Sequence, residues 1–382
     1  GKVVTLDFPM DSEYETGNVK LQMYALNQDI FDSAYVQLAD EQLQVTNYDS
    51  THVNGHIQVN QDGMMLLSIP YDFSSEAKPA IPYVKEARPA IAPQLTPAKF
   101  VEYALEDVNA AIALLKEDPI LTGKDITGMD NGYLANRNFH LNYYAAVGLK
   151  ARICLYAGNT KDAYDAANEV ILAQQNSDLF PWVKTEDITT TTIELRDRTF
   201  STEHLFAFNT NKLGEYIKGY FRETSTPLIS RILPAELYEP DDYRNALYEI
   251  YSGSANVLTK FWQLESVYVS GQGLVRPKRD RMPGIRIAEM YYIATEALKD
   301  SNIGEAITTL NMLRAYRGLP GLSNLSKEEL QKELEMEYYR ELIGEGQVFF
   351  YHKRINTKMI ATANAAYVLP MPDDEIDLGQ RQ

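Results

Sequence analysis

The sequence predicts a mainly α-helical protein framed by helix–turn–helix hairpins, with a loop-rich insertion carrying short strands between two of them. Three observations carry this reading. Apolar residues recur at helical spacing over several long segments, and two pairs of these segments are joined by turns of only a few residues. The stretch between the pairs is instead Thr-rich, with alternating runs such as His204-Leu205-Phe206-Ala207-Phe208.

Residues 1 to about 75 hold few helical patterns and many turn formers, as in Asn47-Tyr48-Asp49-Ser50 and Val53-Asn54-Gly55-His56. They are expected to be irregular, with one or two short helices around Val19 to Leu38. The prolines of Lys78-Pro79-Ala80-Ile81-Pro82 and Arg88-Pro89-Ala90-Ile91-Ala92-Pro93 push their predecessors out of the α region, which gives an extended connector. Thr96-Pro97 then opens a helix, with a side-chain cap followed by proline where the missing N–H costs nothing. Phe100, Tyr103, Ala104, Val108, Ala111, Ile112 and Leu115 form its apolar face down to Asp118-Pro119.

The next helix runs from about Asn138 to Ala157, rich in Ala and Tyr on several faces, and Gly158-Asn159 ends it. A second, from Lys161 to about Gln174, presents Ala163, Ala166, Ala167, Val170 and Ile171, so the two form an antiparallel hairpin. A similar hairpin pairs Ile285–Leu298 with Gly304–Tyr316 across Asp300-Ser301-Asn302. Gly158 precedes Ala163 by five and Ser301 precedes Ala306 by five, which resembles the turn and small-residue contact of a tetratricopeptide unit. The insertion spans about 176–281. A last long helix is capped by Ser326 with Glu329 in a capping box and runs to about Ile343 before Gly344. The expected organisation is an N-terminal segment (1–80), a helical domain (81–376) holding the insertion, and a tail (377–382).

Composition narrows the function. Across 382 residues, 53 acids against 36 bases leave a net charge of −17, whose field repels phosphate backbones and anionic lipids and disfavours nucleic-acid or peripheral-membrane roles. The single cysteine, Cys154, excludes an internal disulfide, a CxxC pair and a zinc finger. No apolar run reaches eighteen residues, and Gly1-Lys2-Val3-Val4 does not begin a signal peptide, which reads as a chain from which a targeting segment has been trimmed.

Four motifs in order resemble the SusD/RagB family of outer-membrane nutrient-uptake proteins. They are Ile285-Arg286-Ile287-Ala288-Glu289-Met290-Tyr291 with Ala294-Thr295-Glu296-Ala297; Glu337 to Gly346 with Lys353-Arg354 beyond; Leu369-Pro370-Met371-Pro372-Asp373-Asp374-Glu375-Ile376; and Ile81-Pro82-Tyr83-Val84 with Leu95-Thr96-Pro97. No counterpart of the family's N-terminal helical motif is recognised before Ile81. The resemblance implies a lipid-anchored cell-surface protein, non-enzymatic and without cofactor, that sits over a SusC-like TonB-dependent transporter and captures glycans or, less often, peptides. It touches the membrane only through an N-terminal lipid anchor. Arg286, Glu289, Glu341, Glu345 and Arg354 in these motifs are expected to form buried charge pairs that fix the helices, because unpaired charges there would be costly.

A glycan binder needs aromatic platforms for C–H faces and amides or charged groups for the hydroxyl rim. The insertion supplies Tyr216, Tyr220 and Phe221, then Trp262-Gln263, Tyr268 and the basic stretch from Arg276 to Arg281, with Trp262 as leading platform. Trp182 reads as a packing residue. Tyr143, Tyr144, Tyr156, Tyr164, Tyr291, Tyr292, Tyr338 and Tyr339 sit at packing spacing on helices, as core or seam residues. His52 and His56 share what reads as a solvated loop, and Asp241-Asp242 offers a cation site without support, so no metal is assigned. No HExxH, GxSxG, Walker or GxGxxG pattern occurs. The rival readings are a helical-repeat adaptor that binds a peptide and a glycoside hydrolase, which would need a carboxylate pair about 5 to 10 Å apart.

Overall fold

The computed structural model describes residues 2–9, 43–48, 52–59, 73, 77, 79–85, 91–122, 137–192, 195–210, 213, 237–251, 255–261, 267–271, 273–275 and 281–355. The chain divides into two compact units, one of residues 1–100 with 352–382, the other of residues 101–351.

In the first unit, β1 (Lys2–Pro9), β2 (Leu43–Tyr48) and β3 (His52–Val59) form an antiparallel sheet in the order β1-β3-β2. This corrects the expectation of irregular chain. Val and Thr recur in these runs, and Asn47 and Tyr48, read as turn formers, end β2 opposite Asn54 and Val53. The expected helices at Val19 to Leu38 lie outside the described residues. The proline-rich connector pairs briefly with itself, as β4 (Ile81–Pro82) against β5 (Gln94–Leu95).

The second unit is the helical frame. Helix α1 (Pro97–Leu114) opens on Thr96, and Asp118 stops the run by accepting from Ile120 N at 3.0 Å and binding Arg137 at 2.8 Å. A short α2 (Pro119–Thr122) follows. Helix α3 (Tyr143–Tyr156) is capped by Asn142, whose side chain accepts from Ala145 N and donates to Leu205 O at 2.7 Å. Ala145, Ala151 and Cys154 are buried, and Gly148 lets the helix approach Leu205, Ile285 and Met290 to within 3.1–3.3 Å of where a Cβ would stand. Gly158, at φ +77°, closes α3 in a Schellman turn, with Asn159 N bound to Cys154 O and Gly158 N to Leu155 O. Asn159 then caps α4 (Thr160–Asn176).

After α5 (Thr185–Thr189), the insertion holds short antiparallel pairs: β6 (His204–Asn209) with β11 (Arg281–Arg286), β7 (Tyr248–Tyr251) with β8 (Ala255–Leu258), and β9 (Val267–Val269) with β10 (Gly273–Val275). The second hairpin is α6 (Ile287–Leu298) with α7 (Ile303–Ala315), the latter capped by Asn302. Ile285 and Arg286, expected as helix, are the end of β11, because their partners Phe206 and His204 claim them as strand. Helix α6 is central, packed by α3, α4, α7 and α8 (Lys327–Leu342), and Tyr291 and Tyr292 on it are buried. The Ser326–Glu329 capping box is formed on α8, and α9 (Gln347–Ile355) follows. The frame is therefore mainly α and of tetratricopeptide type, with strands confined largely to the insertion. Among the described residues no helix is long and apolar enough to cross a membrane.

Candidate functional site

The helical frame is pinned by buried charge. Glu337 and Glu341 stand one turn apart on α8, continuing the buried stripe of Leu330 and Leu334. Glu341 accepts from Arg317 at 3.0 and 2.9 Å, from Arg244 at 3.0 Å and from Arg286. Arg317 also forks onto Glu203 at 3.0 and 2.6 Å. Arg244 forks onto Asp242 and reaches Glu337 at 2.9 Å, while Arg314 reaches the same carboxylate at 3.0 Å. Arg286 and Lys260 share Glu345 at 2.7 and 2.5 Å. Six buried cations (Arg244, Lys260, Arg286, Arg314, Arg317, Arg340) thus meet five buried anions (Glu203, Asp242, Glu337, Glu341, Glu345) and the half-buried Glu333, so the core is neutral and each of these charges is paired. Burial alone would raise Glu341, but Arg317, Arg286 and Arg244 outweigh it and hold the carboxyl well below its ordinary range. Glu337 and Glu345 are lowered against burial in the same way, chiefly by Arg244 and Arg286.

Of the motif residues, Arg286, Glu341 and Glu345 meet in this core, and Glu289 is forked by Arg152 with both contacts at 2.6 Å. Arg354 lies half-buried on α9. Asp242, one of the pair noted as a cation site without support, has both carboxylate oxygens bonded by Arg244. His52 and His56 lie on strand β3 rather than in a loop. Among the described residues no three His, Cys, Asp or Glu side chains are grouped to hold a metal.

Beside this core the turn into β6 is under-bonded. His204 Nε2 donates to Thr199 O at 2.7 Å, leaving Nδ1 as an acceptor with no donor, and Thr199 Oγ1 and Thr202 Oγ1 are likewise buried without partners. Burial, reinforced by the positive Arg286, pushes His204 down to about 4. The unfolded imidazole takes up a proton near 6.5 and the folded one only near 4, so the unfolded state binds more protons between them and stability falls as pH drops through that window. The loss approaches roughly 3 kcal/mol at the acid end. His352, also held near 4 by burial, adds to it. Urea unfolding at pH 7, 5.5 and 4 should show this decline, with a shallower pH slope in His204→Phe. A slope unchanged by that substitution would refute the assignment.

Exposed aromatic rings lie outside this charged core. Tyr268 is 76% exposed on β9, directly opposite Leu274, 68% exposed on β10. The hairpin holds both side chains out of any core. Trp262, Gln263, Tyr216, Tyr220 and Phe221 lie outside the described residues, so Tyr268 is the predicted platform residue whose setting is seen. Two further surfaces escaped the sequence reading. Phe208, 54% exposed, stands edge-to-face with Phe206 on the outer side of β6, the two rings packed over Gly284, where a Cβ would stand 2.7 Å from Phe206 Cδ1. Trp182 is only half-buried, with Tyr316 stacked on it at 4.9 Å and 21°. Alternation along 204–208 could have flagged the first, since Leu205 and Ala207 take the inner face. Nothing local pairs residues 182 and 316.

A model of the SusD family matches residues 131–367, more than half of the chain, and contains the whole charged core. A model described as bacterial membrane protein YfhO matches residues 2–78, which include β1, β2 and β3. Among solved structures, a SusD superfamily protein from Bacteroides vulgatus is 20% identical over 84% of this chain and 72% of its own, with a TM-score of 0.61. One from Bacteroides thetaiotaomicron is 23% identical over 77% and 64%, with a TM-score of 0.55. A SusD-like carbohydrate binding protein from Bacteroides vulgatus is 19% identical over 76% and 59%, with a TM-score of 0.53. The chain spans less than two thirds of the length of the last two. No curated protein matches.

Proposed function

Because the chain belongs to the SusD family, we propose that it is a non-catalytic binder of oligosaccharide or polysaccharide that works at the outer-membrane surface and passes its ligand to a SusC-like TonB-dependent transporter. The observation that carries the binding role is Tyr268, a large ring that folding leaves open on the β9–β10 hairpin five residues after Trp262-Gln263. A ring in water offers its electron-rich face to sugar C–H groups, and a neighbouring amide can serve the hydroxyls. The neutral charge core supports the role by fixing the helices that carry the insertion, so little ordering cost remains for the ligand to meet. The carboxylates of that core are bonded to cations and buried, which argues against their acting as the acid and base of a hydrolase. One face of the helical hairpins is proposed as the flank that meets the transporter, and the lipid anchor as the attachment to the membrane.

Calorimetric titration of soluble polysaccharides tests the binding role. Tyr268→Ala is expected to weaken the responding glycan about 5-fold, the worth of one lost stacking contact, and Trp262→Ala at least as much. Release of reducing ends from any polysaccharide would overturn the non-catalytic reading. Binding unaffected by both substitutions would move the site off the insertion.

A further inference from the structure

The Trp182–Tyr316 stack lies on the helical frame, not on the insertion hairpins. Tyr316 closes α7, is 50% exposed and has one ring face on Trp182. A ring covered on one face and still half exposed keeps its other face open. Below it the stack is anchored deeply. The Arg317 guanidinium stands 5.4 Å from the Trp182 ring and 4.7 Å from Phe200, and Arg286 stands 5.5 Å from Phe200. Arg317 and Phe200 are fully buried, and Arg317 is forked onto Glu203. Planar groups therefore connect an exposed tyrosine to the immobile charged core, with Tyr291 bracing Trp182 at 5.2 Å.

This arrangement exceeds what packing needs. A tyrosine whose sole task was to cover Trp182 would gain by burying its own ring, yet half of Tyr316 faces water. One turn back on α7 is Met312, 42% exposed, and across from it on α4 is Gln175. Gln175 Nε2 lies 3.6 Å from Met312 Sδ, a weak contact that a sugar hydroxyl can replace. The surface thus combines a fixed flat ring, an adaptable thioether and an exposed amide.

We propose that Tyr316, backed by Trp182 and flanked by Gln175 and Met312, is a second glycan-stacking site on the helical frame, separate from the insertion. It rests on the reading of the protein as a glycan binder. The chemistry favours a neutral, β-linked hexopyranose chain, whose rings present axial C–H groups on flat faces to the negative face of the tyrosine. Acidic polysaccharides are disfavoured by the net charge of −17. Two sites on one rigid body would let one long chain be held at two points, which raises avidity without any tighter single contact.

The two tryptophans make the test direct, since each can be read alone. In Trp262→Phe, the remaining emission comes from Trp182. Titration with soluble mixed-linkage β-glucan, and with β-mannan beside it, should change that emission saturably. Tyr316→Ala in the same background should weaken the response at least 5-fold, while Tyr316→Trp, read by calorimetry with Trp262→Phe, should retain binding. If wild-type protein binds glycan by calorimetry but Trp182 emission is unmoved at saturation, or if the response survives Tyr316→Ala, the second site is overturned and the insertion site stands. The exposed patch would then be left to protein contact. If no polysaccharide gives heat with the wild type, the glycan-binding reading falls, and this inference falls with it.

Discussion

Glu341→Gln is expected to lower the melting temperature of the protein by about 10 °C. The substitution keeps size and shape but removes one negative charge from the otherwise balanced cluster, and it turns an acceptor of Arg244, Arg286 and Arg317 into an amide that points hydrogens at two of them. Removing one partner of a buried, hydrogen-bonded charge cluster costs about 3–5 kcal/mol, because the remaining charges cannot recover their hydration. For a unit of this length each kcal/mol shifts the midpoint by about 2–4 °C. The control is Asp165→Asn, which breaks the exposed Lys161–Asp165 pair, whose side chains are 82% and 55% accessible. A pair so wet is screened by water and contributes little to stability. Scanning calorimetry of the two variants side by side decides the matter: equal midpoints would mean that the charged core is not what holds α7, α8 and β11 together.

Gly318→Ala should destabilise the protein by about 3 kcal/mol, well beyond the usual cost of losing a glycine. Gly318 has φ +79°, and a Cβ there would stand 2.5 Å from Asp241 O and 2.7 Å from the Tyr243 ring. The obstruction is backbone, held in turn by Tyr243 N bonding to Arg317 O at 3.0 Å, so it cannot step aside without moving Asp242 and Arg244. Gly158 separates the two contributions. Its φ is +77° but no atom lies within 4 Å of a Cβ, so Gly158→Ala meets only the conformational penalty of about 1 kcal/mol. Urea unfolding of both variants measures the difference, and equal losses would show that the close approach at Gly318 is illusory.

These two sites also mark how far the sequence could be read. Helix boundaries were legible where the signal is local: Asn and Ser caps, the Gly158 stop, and apolar spacing along α1, α3, α4 and α8. The segments of β2 and β3 misled because Asn47, Asn54 and Gly55 carry turn signals yet sit in paired strands, and that pairing is not a local property. Ile285 and Arg286 carry helical spacing yet end β11, since strand partners outrank propensity. Trp182 was read as packing and does pack, on Tyr291, while its stack with Tyr316 at the surface could not be foreseen.

The family motifs, the helical hairpins and the charged residues that must be paired were all written in the chain, because each depends on residues within a turn or two of one another. Which cation meets which carboxylate was decided only on folding: Arg317 reaches Glu203 over 114 positions and Arg152 reaches Glu289 over 137. Exposure of an aromatic ring is decided at the same level. A tyrosine at helical spacing carries the same local signal whether a neighbouring helix covers it, as with Tyr292, or leaves half of it in water, as with Tyr316.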